Sequence, residues 1–108
     1  MDVNDILLDR EHLARQTFGD EALARELLDL FAEQCRRLGP AIADEARGPD
    51  DRADLAHTLK GSALGVGANR IAVLASRIEA ALRNGDRPQA ADLTGTLAGV
   101  IGETVAVL

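Results

Sequence analysis

The strongest constraint on the fold is the spacing of apolar residues, which recur every three or four positions along most of the chain. This is the period of an amphipathic helix that buries one face. Residues that favour strands are few: the chain has no tyrosine or tryptophan, and its only phenylalanines are Phe18 and Phe31. Without many β-branched or aromatic side chains a sheet is disfavoured, so the chain is predicted to be all-α.

The first half of the chain contains two predicted helices, a short one over about 10–17 and a long one over about 21–47. Asp9 and Asp20 precede them and are expected to cap them, since an aspartate side chain can accept a hydrogen bond from the first turn. Phe18 is expected to point inward. The predicted buried face of the long helix consists of residues at helical spacing: Leu23, Leu27, Leu30, Phe31, Gln34, Cys35, Leu38, Ile42 and Ala46.

The second half contains three more predicted helices, of which the first two run over about 51–65 and 68–84. Either Asp50 or Asp51 is expected to cap the third helix of the chain, and Asp86 the fifth. Four amphipathic helices with short connections are typical of an antiparallel four-helix bundle.

The length of the chain, 108 residues, is enough for one hydrophobic core but not for two. We therefore predict a single domain over residues 1–108. Its expected architecture is an antiparallel four-helix bundle with a short additional N-terminal helix that covers one end.

Composition argues against several classes of protein. A formal net charge of −6 disfavours a nucleic-acid partner, because binding to the phosphate backbone needs a basic surface. No apolar run reaches the length of a membrane span, and the N-terminus lacks the pattern of a signal peptide. The single Cys35 excludes an internal disulfide, and the Cys/His clustering of a metal site is absent. We expect a cytoplasmic protein without a metal or a membrane partner.

Residues 56–67 contain a pattern that points to chemistry. His57, Lys60 and Gly61 lie at i, i+3 and i+4, so they share one helix face, opposite the apolar stripe. A glycine inside a helix costs about 1 kcal/mol relative to alanine, but it lets another protein's backbone come close. Lys60 can neutralise an anion held at His57, and Leu64 offers a partner an apolar contact.

This spacing resembles the motif of the histidine-containing phosphotransfer (HPt) domain family of two-component phosphorelays, and the order of helices around it also matches. The residues that carry the resemblance are His57, Lys60, Gly61, Ser62, Ala63 and Gly67. The resemblance implies that His57 accepts a phosphoryl group from one response-regulator receiver aspartate and passes it to another. It further implies an upstream hybrid histidine kinase, Mg²⁺ on the receiver rather than on this chain, and no cofactor here. The domain would be a monomeric phosphoryl carrier without independent catalytic activity.

Glu79 and Arg83 are candidates for supporting roles. If the fourth helix packs beside the third, Glu79 can accept the Nδ1–H of His57 and leave Nε2 free for phosphorus. The resemblance supports this, since some family members place a hydrogen-bonding Glu or Gln at the corresponding position. Arg83 would add positive potential. The alternative is that the two residues form an ordinary exposed helical ion pair.

Two other functions remain open at this point. One is a non-phosphorylated helical adaptor that has kept the scaffold, and the other is an excised histidine domain of a hybrid or chemotaxis-type kinase. The presence of His57, Lys60 and Gly61 together favours phosphotransfer over the adaptor, because an adaptor has no need of that combination.

Overall fold

The computed structural model describes Asp2 and residues 5–108, and five α-helices account for most of this part of the chain. In chain order they are α1 (Arg10–Gln16), α2 (Glu21–Ala43), α3 (Pro49–Val66), α4 (Asn69–Arg83) and α5 (Arg87–Ala106). The predicted all-α class is confirmed, with one short helix and four long ones.

The four long helices pack in a ring, with α3 between α2 and α4, and α5 between α4 and α2. Short turns join consecutive helices that pack side by side, so neighbours run antiparallel. The core between them is mainly aliphatic. On α3 the fully buried residues include Ala53, Ala56 and Ala63, whose small side chains let α4 approach closely.

The short helix α1 packs on α2 and α3 and is tied to the turn between α3 and α4. The predicted cap is present, since the Asp9 side chain accepts from the backbone N–H of His12 at 3.0 Å. The backbone N–H of Asp9 in turn donates to the carbonyl of Gly67 at 2.8 Å. His12 adds a contact of 3.2 Å between Nε2 and the carbonyl oxygen of Gly65. The first helix is therefore anchored to the end of α3.

The predicted C-terminal end of α2 is wrong. The helix ends at Ala43, before the predicted end at residue 47, and Ala46 is exposed outside it. The cause is Asp44, which adopts an extended backbone and accepts a hydrogen bond on its side chain from the N–H of Ala46 at 3.0 Å. An aspartate that bonds its own backbone in this way offers the chain an alternative to the next helical turn.

Besides Ala46, three residues predicted to face the core are exposed instead. Leu23 and Leu30 lie to one side of the buried face of α2, which includes Leu28. Phe18 is 95% exposed because it lies in the turn after α1 with φ of 54°, a left-handed conformation that directs its side chain away from the bundle. Thr17 is buried in that region instead and bonds the carbonyl of Leu13 at 2.9 Å.

The start of α3 also differs from the prediction, because neither Asp50 nor Asp51 caps it. Pro49 is the first helical residue and Gly48 the capping residue, without a side-chain hydrogen bond. The fixed φ of proline suits the first position of a helix, where its missing N–H leaves nothing unpaired. The two aspartates lie in the first turn, where their negative charges interact favourably with the positive end of the helix dipole. The predicted caps Asp20 and Asp86 are both present.

The turn after α3 gives a first testable prediction. Gly67 has φ of 86°, and a Cβ built there would lie 2.8 Å from the carbonyl oxygen of Asp9. Gly67→Ala is therefore expected to lower the free energy of unfolding by at least roughly 1–2 kcal/mol, from the left-handed backbone alone. Gly65→Ala is the matched control, since Gly65 is helical and has open space around it. It should stabilise by about 0.5–1 kcal/mol. Urea denaturation measures both, and equal effects would contradict the proposed role of the turn.

Candidate functional site

The middle of α3 presents His57 to solvent. Its side chain is 63% exposed, whereas Ala56 and Leu59 beside it are fully buried. Ala56 belongs to the buried face of α3, and Lys60 follows it by one helical turn. Lys60 therefore lies at the edge of the core, with 27% of its side chain exposed. The two side chains therefore share one side of the helix, with the imidazole farther out than the ammonium.

Glu79 on α4 connects the polar side chains across the α3–α4 seam, and only 14% of its own side chain is exposed. Its carboxylate lies 3.1 Å from Nδ1 of His57 and 3.3 Å from Nζ of Lys60. Nε of Arg83, one turn further along α4, donates to it at 3.0 Å. The structure thus brings together His57, Lys60, Glu79 and Arg83, four residues that the sequence analysis selected from two helices.

The surroundings of Glu79 control its ionisation. Burial by itself raises the pKa of this carboxyl, but hydrogen bonds from His57, Arg83 and Lys60 outweigh burial and hold the pKa below its ordinary value of 4.5. An ionised carboxylate only accepts hydrogen bonds, so Nδ1 of the neutral His57 ring is the nitrogen that bears the proton. The lone pair then lies on Nε2, which makes no hydrogen bond to the described part of the chain.

Asp54 is a member of this network that the sequence analysis missed. Its carboxylate accepts from Nη2 of Arg83 at 3.0 Å. Asp54 and Glu79 both raise the pKa of the Arg83 guanidinium through these bonds. The sequence contains a signal that could have predicted this contact. In an antiparallel helix pair that places His57 opposite Glu79, the residue one turn earlier on α3, Asp54, lies opposite the residue one turn later on α4, Arg83. Arg83 is therefore held from both helices.

The surface beside His57 is open. Gly61 is exposed, and nothing lies within 4 Å of the place where its Cβ would be. Leu64 is 54% exposed and borders a shallow groove of about 280 Å³ between α3 and α4. Ala72 and Val73 form part of the wall of this groove, and Lys60 lies at its edge. A partner that reached His57 would meet an apolar surface here.

Two further classes of site are not found in the part of the chain that the structure describes. These residues contain no group of three or more His, Cys, Asp or Glu side chains placed to hold a metal ion. Nor is any of their helices both long and apolar enough to cross a bilayer.

The fold and the site define a class of protein: a four-helix bundle that exposes a histidine whose Nδ1 is held by a carboxylate of the neighbouring helix. Comparison with known families agrees, since the model of the Hpt domain matches residues 21–106. The chain belongs to the Hpt domain family, which implies histidine phosphotransfer in a phosphorelay and interaction with two-component system proteins. No curated protein and no solved structure matches the chain at a significant level.

The network predicts how Glu79 titrates. Because its folded-state pKa is lowered, the stabilising effect of the carboxylate is present above pH 4.5 and is lost as pH falls through the folded-state pKa. Replacing the charged guanidinium donor by a neutral amide with Arg83→Gln should raise the pKa of Glu79 toward its ordinary value. The carboxyl ¹³C shift of Glu79 measures this directly. In the control Arg36→Gln, which removes an arginine paired with Glu33 on α2, the Glu79 titration should stay unchanged. An unchanged midpoint in Arg83→Gln would contradict the network.

Proposed function

We propose that the protein is a phosphorelay intermediate that carries a phosphoryl group on Nε2 of His57. The observation that supports this most directly is the exposed ring of His57, whose Nδ1 is occupied by Glu79 while Nε2 points to no partner in the described chain. A nucleophilic nitrogen has to be unprotonated and accessible, and this arrangement supplies both properties.

The transfer step follows from that geometry. The lone pair of Nε2 attacks the phosphorus of an aspartyl phosphate on a receiver domain. A P–N bond forms, the P–O bond to the aspartate breaks, and the aspartate leaves as a carboxylate with the bonding electron pair. The reverse reaction with a second receiver returns the phosphoryl group to an aspartate. Positioning and charge stabilisation dominate such transfers, and Mg²⁺ on the receiver would supply much of the latter.

The neighbouring side chains offset the charges that this step creates. When the P–N bond forms, the ring becomes an imidazolium, which the carboxylate of Glu79 stabilises through the Nδ1–H. The ammonium of Lys60 has three donors and uses one of them on Glu79, so it can also contact a phosphoryl oxygen. Arg83 holds Glu79 in place at 3.0 Å and adds positive potential to the site.

The open surface next to His57 suits a receiver domain. Gly61 leaves room for the partner's backbone above α3, and Leu64 with its groove provides an apolar contact. We propose response-regulator receivers as the partners, with phosphoryl groups supplied through an upstream hybrid histidine kinase. We further propose that the chain acts in the cytoplasm as a single domain. We expect it to be a monomer, because a second copy bound over His57 would block access by receivers.

The assignment of His57 is tested by phosphotransfer. Incubation with a ³²P-labelled receiver should transfer acid-labile, base-stable label to this chain, and His57→Gln should abolish the transfer while leaving the helical circular dichroism unchanged, because the side chain is exposed. His12→Gln is the matched control and should retain full labelling. Label that persists in His57→Gln would overturn the proposal, and a wild-type protein that is never labelled by any receiver would favour the adaptor.

The role of Gly61 is tested by a bulky substitution. Gly61→Phe should slow transfer from a receiver by at least about tenfold, because the aromatic ring would occupy the space needed for docking, while stability changes little. Gly95→Phe is the control, since Gly95 is also a helical glycine with open space around it and lies on α5, across the bundle from α3. Rapid-quench transfer rates and thermal melts separate the two effects. Equal slowing in both variants would argue against docking over Gly61.

A further inference from the structure

A second, larger cavity lies at the end of the bundle where the α2–α3 and α4–α5 turns meet. Its volume is about 550 Å³. Three arginines line it together with apolar residues of α4 and α5: Arg47, Arg52, Arg87, Ala81, Leu82 and Ala90. Neither the phosphotransfer step nor the docking surface uses this cavity, so its chemistry has to be explained separately.

Arg52 is the unusual residue in this cavity, because it is only 8% exposed yet carries a full positive charge. Its Nε donates to the carbonyl oxygen of Ile42 at 2.7 Å. In the described part of the chain its Nη1 and Nη2 have no hydrogen-bond partner, and no carboxylate oxygen lies within 4.0 Å of the guanidinium. The described residues contain no fully buried side-chain nitrogen or oxygen that lacks a hydrogen-bond partner. Because Nη1 and Nη2 of Arg52 lack partners, both nitrogens must be accessible to solvent. Since the rest of Arg52 is buried and the residue lines the cavity, they open into it.

A buried charge without a counterion is unfavourable, and the two free amino groups of a guanidinium form a planar fork that matches the oxygens of a carboxylate or phosphate. The other two arginines of the lining favour an anion less strongly. Arg47 is half-exposed and forms ion pairs with Asp44 and Asp51, with nitrogen–oxygen distances of 3.8 and 3.3 Å. Arg87 adds a positive charge at the first position of α5, where the helix dipole is also positive.

Two carboxylates in the lining oppose an anion and limit how strongly it can bind. The carboxylate of Asp86 is already engaged, because it accepts from the backbone N–H of Gln89 at 3.2 Å as the cap of α5. Glu45 is exposed at the rim. The lining itself has three arginines against these two carboxylates, but Asp44 and Asp51 offset the charge of Arg47 from outside the lining. The unpaired fork of Arg52, rather than the net charge, therefore favours an anion.

We propose that this cavity is a binding site for a small-molecule oxyanion, a carboxylate or phosphate group held by the Nη groups of Arg52. An apolar portion of the ligand packs against Leu82 and Ala90. The site is distinct from the phosphotransfer face, since Arg52 and His57 lie five positions apart on α3 and therefore about 140° apart around its axis. The occupied cavity leaves His57 accessible.

The experiment follows ¹H–¹⁵N spectra of the whole chain during titration with inorganic phosphate, acetate or butyrate, with chloride holding the ionic strength constant. Binding is expected to shift the Arg52 Nε–H and the amide of Gly85 in a saturable way, with little change at His57. Phosphate binding tighter than both carboxylates identifies a phosphate site, and butyrate binding tighter than acetate identifies a carboxylate site with an apolar wall. The absence of saturable shifts with all three probes would overturn the proposal.

Variants test whether Arg52 is responsible. Arg52→Lys keeps the charge but removes the fork, and should weaken binding by about tenfold or more. Arg25→Gln is the matched control at the start of α2, outside the cavity lining, and should leave the affinity unchanged. Should Arg52→Lys fail to fold, Glu45→Gln provides an independent measurement, because removing a negative charge at the rim should tighten binding severalfold. Affinity that stays the same in every folded variant, or that falls equally in Arg25→Gln, would contradict the site.

Discussion

The nearly buried carboxylate of Glu79 is the group on which the arrangement of the side chains around His57 depends. A carboxylate that is 14% exposed needs hydrogen-bond donors, and it receives them from His57, Lys60 and Arg83. Each donor is fixed in return. The orientation of the imidazole and the contact of the Lys60 ammonium with α4 therefore depend on one charge placed in the α3–α4 seam. Arg83 is held by the same charge and, in addition, by Asp54.

The seam itself depends on small side chains and on one turn. Buried alanines on both helices, including Ala56 on α3 and Ala75 on α4, let the two backbones approach closely enough for Glu79 to reach His57. The turn at Gly67 then reverses the chain within two residues, and its carbonyl accepts the N–H of Asp9. The N-terminal segment thereby braces the turn that sets how α3 and α4 face each other, so packing at one end of the bundle supports the geometry at the histidine.

The helix α3 has two polar environments on different sides. Toward solvent it presents His57, whose ring is mostly exposed and whose one engaged nitrogen is held by a carboxylate. Toward the end of the bundle it buries Arg52, whose guanidinium is held by a backbone carbonyl and has no counterion in the described chain. The engaged nitrogen of the histidine has a carboxylate partner within the protein, whereas the two terminal nitrogens of the arginine have no partner in the described chain. That contrast is the physical basis for expecting a ligand at the second position and a protein partner at the first.

The sequence by itself determined the local features: the helical period, the caps at Asp9, Asp20 and Asp86, and the spacing of His57, Lys60 and Gly61 typical of the family. These depend on residues within one turn of each other, so a single sequence contains them. Only the tertiary structure decided that Leu23 and Leu30 face solvent, that Arg83 reaches Asp54, and that Arg52 is buried. These outcomes depend on the rotation and register of one helix against another, and that relation is set by packing between residues far apart in the chain.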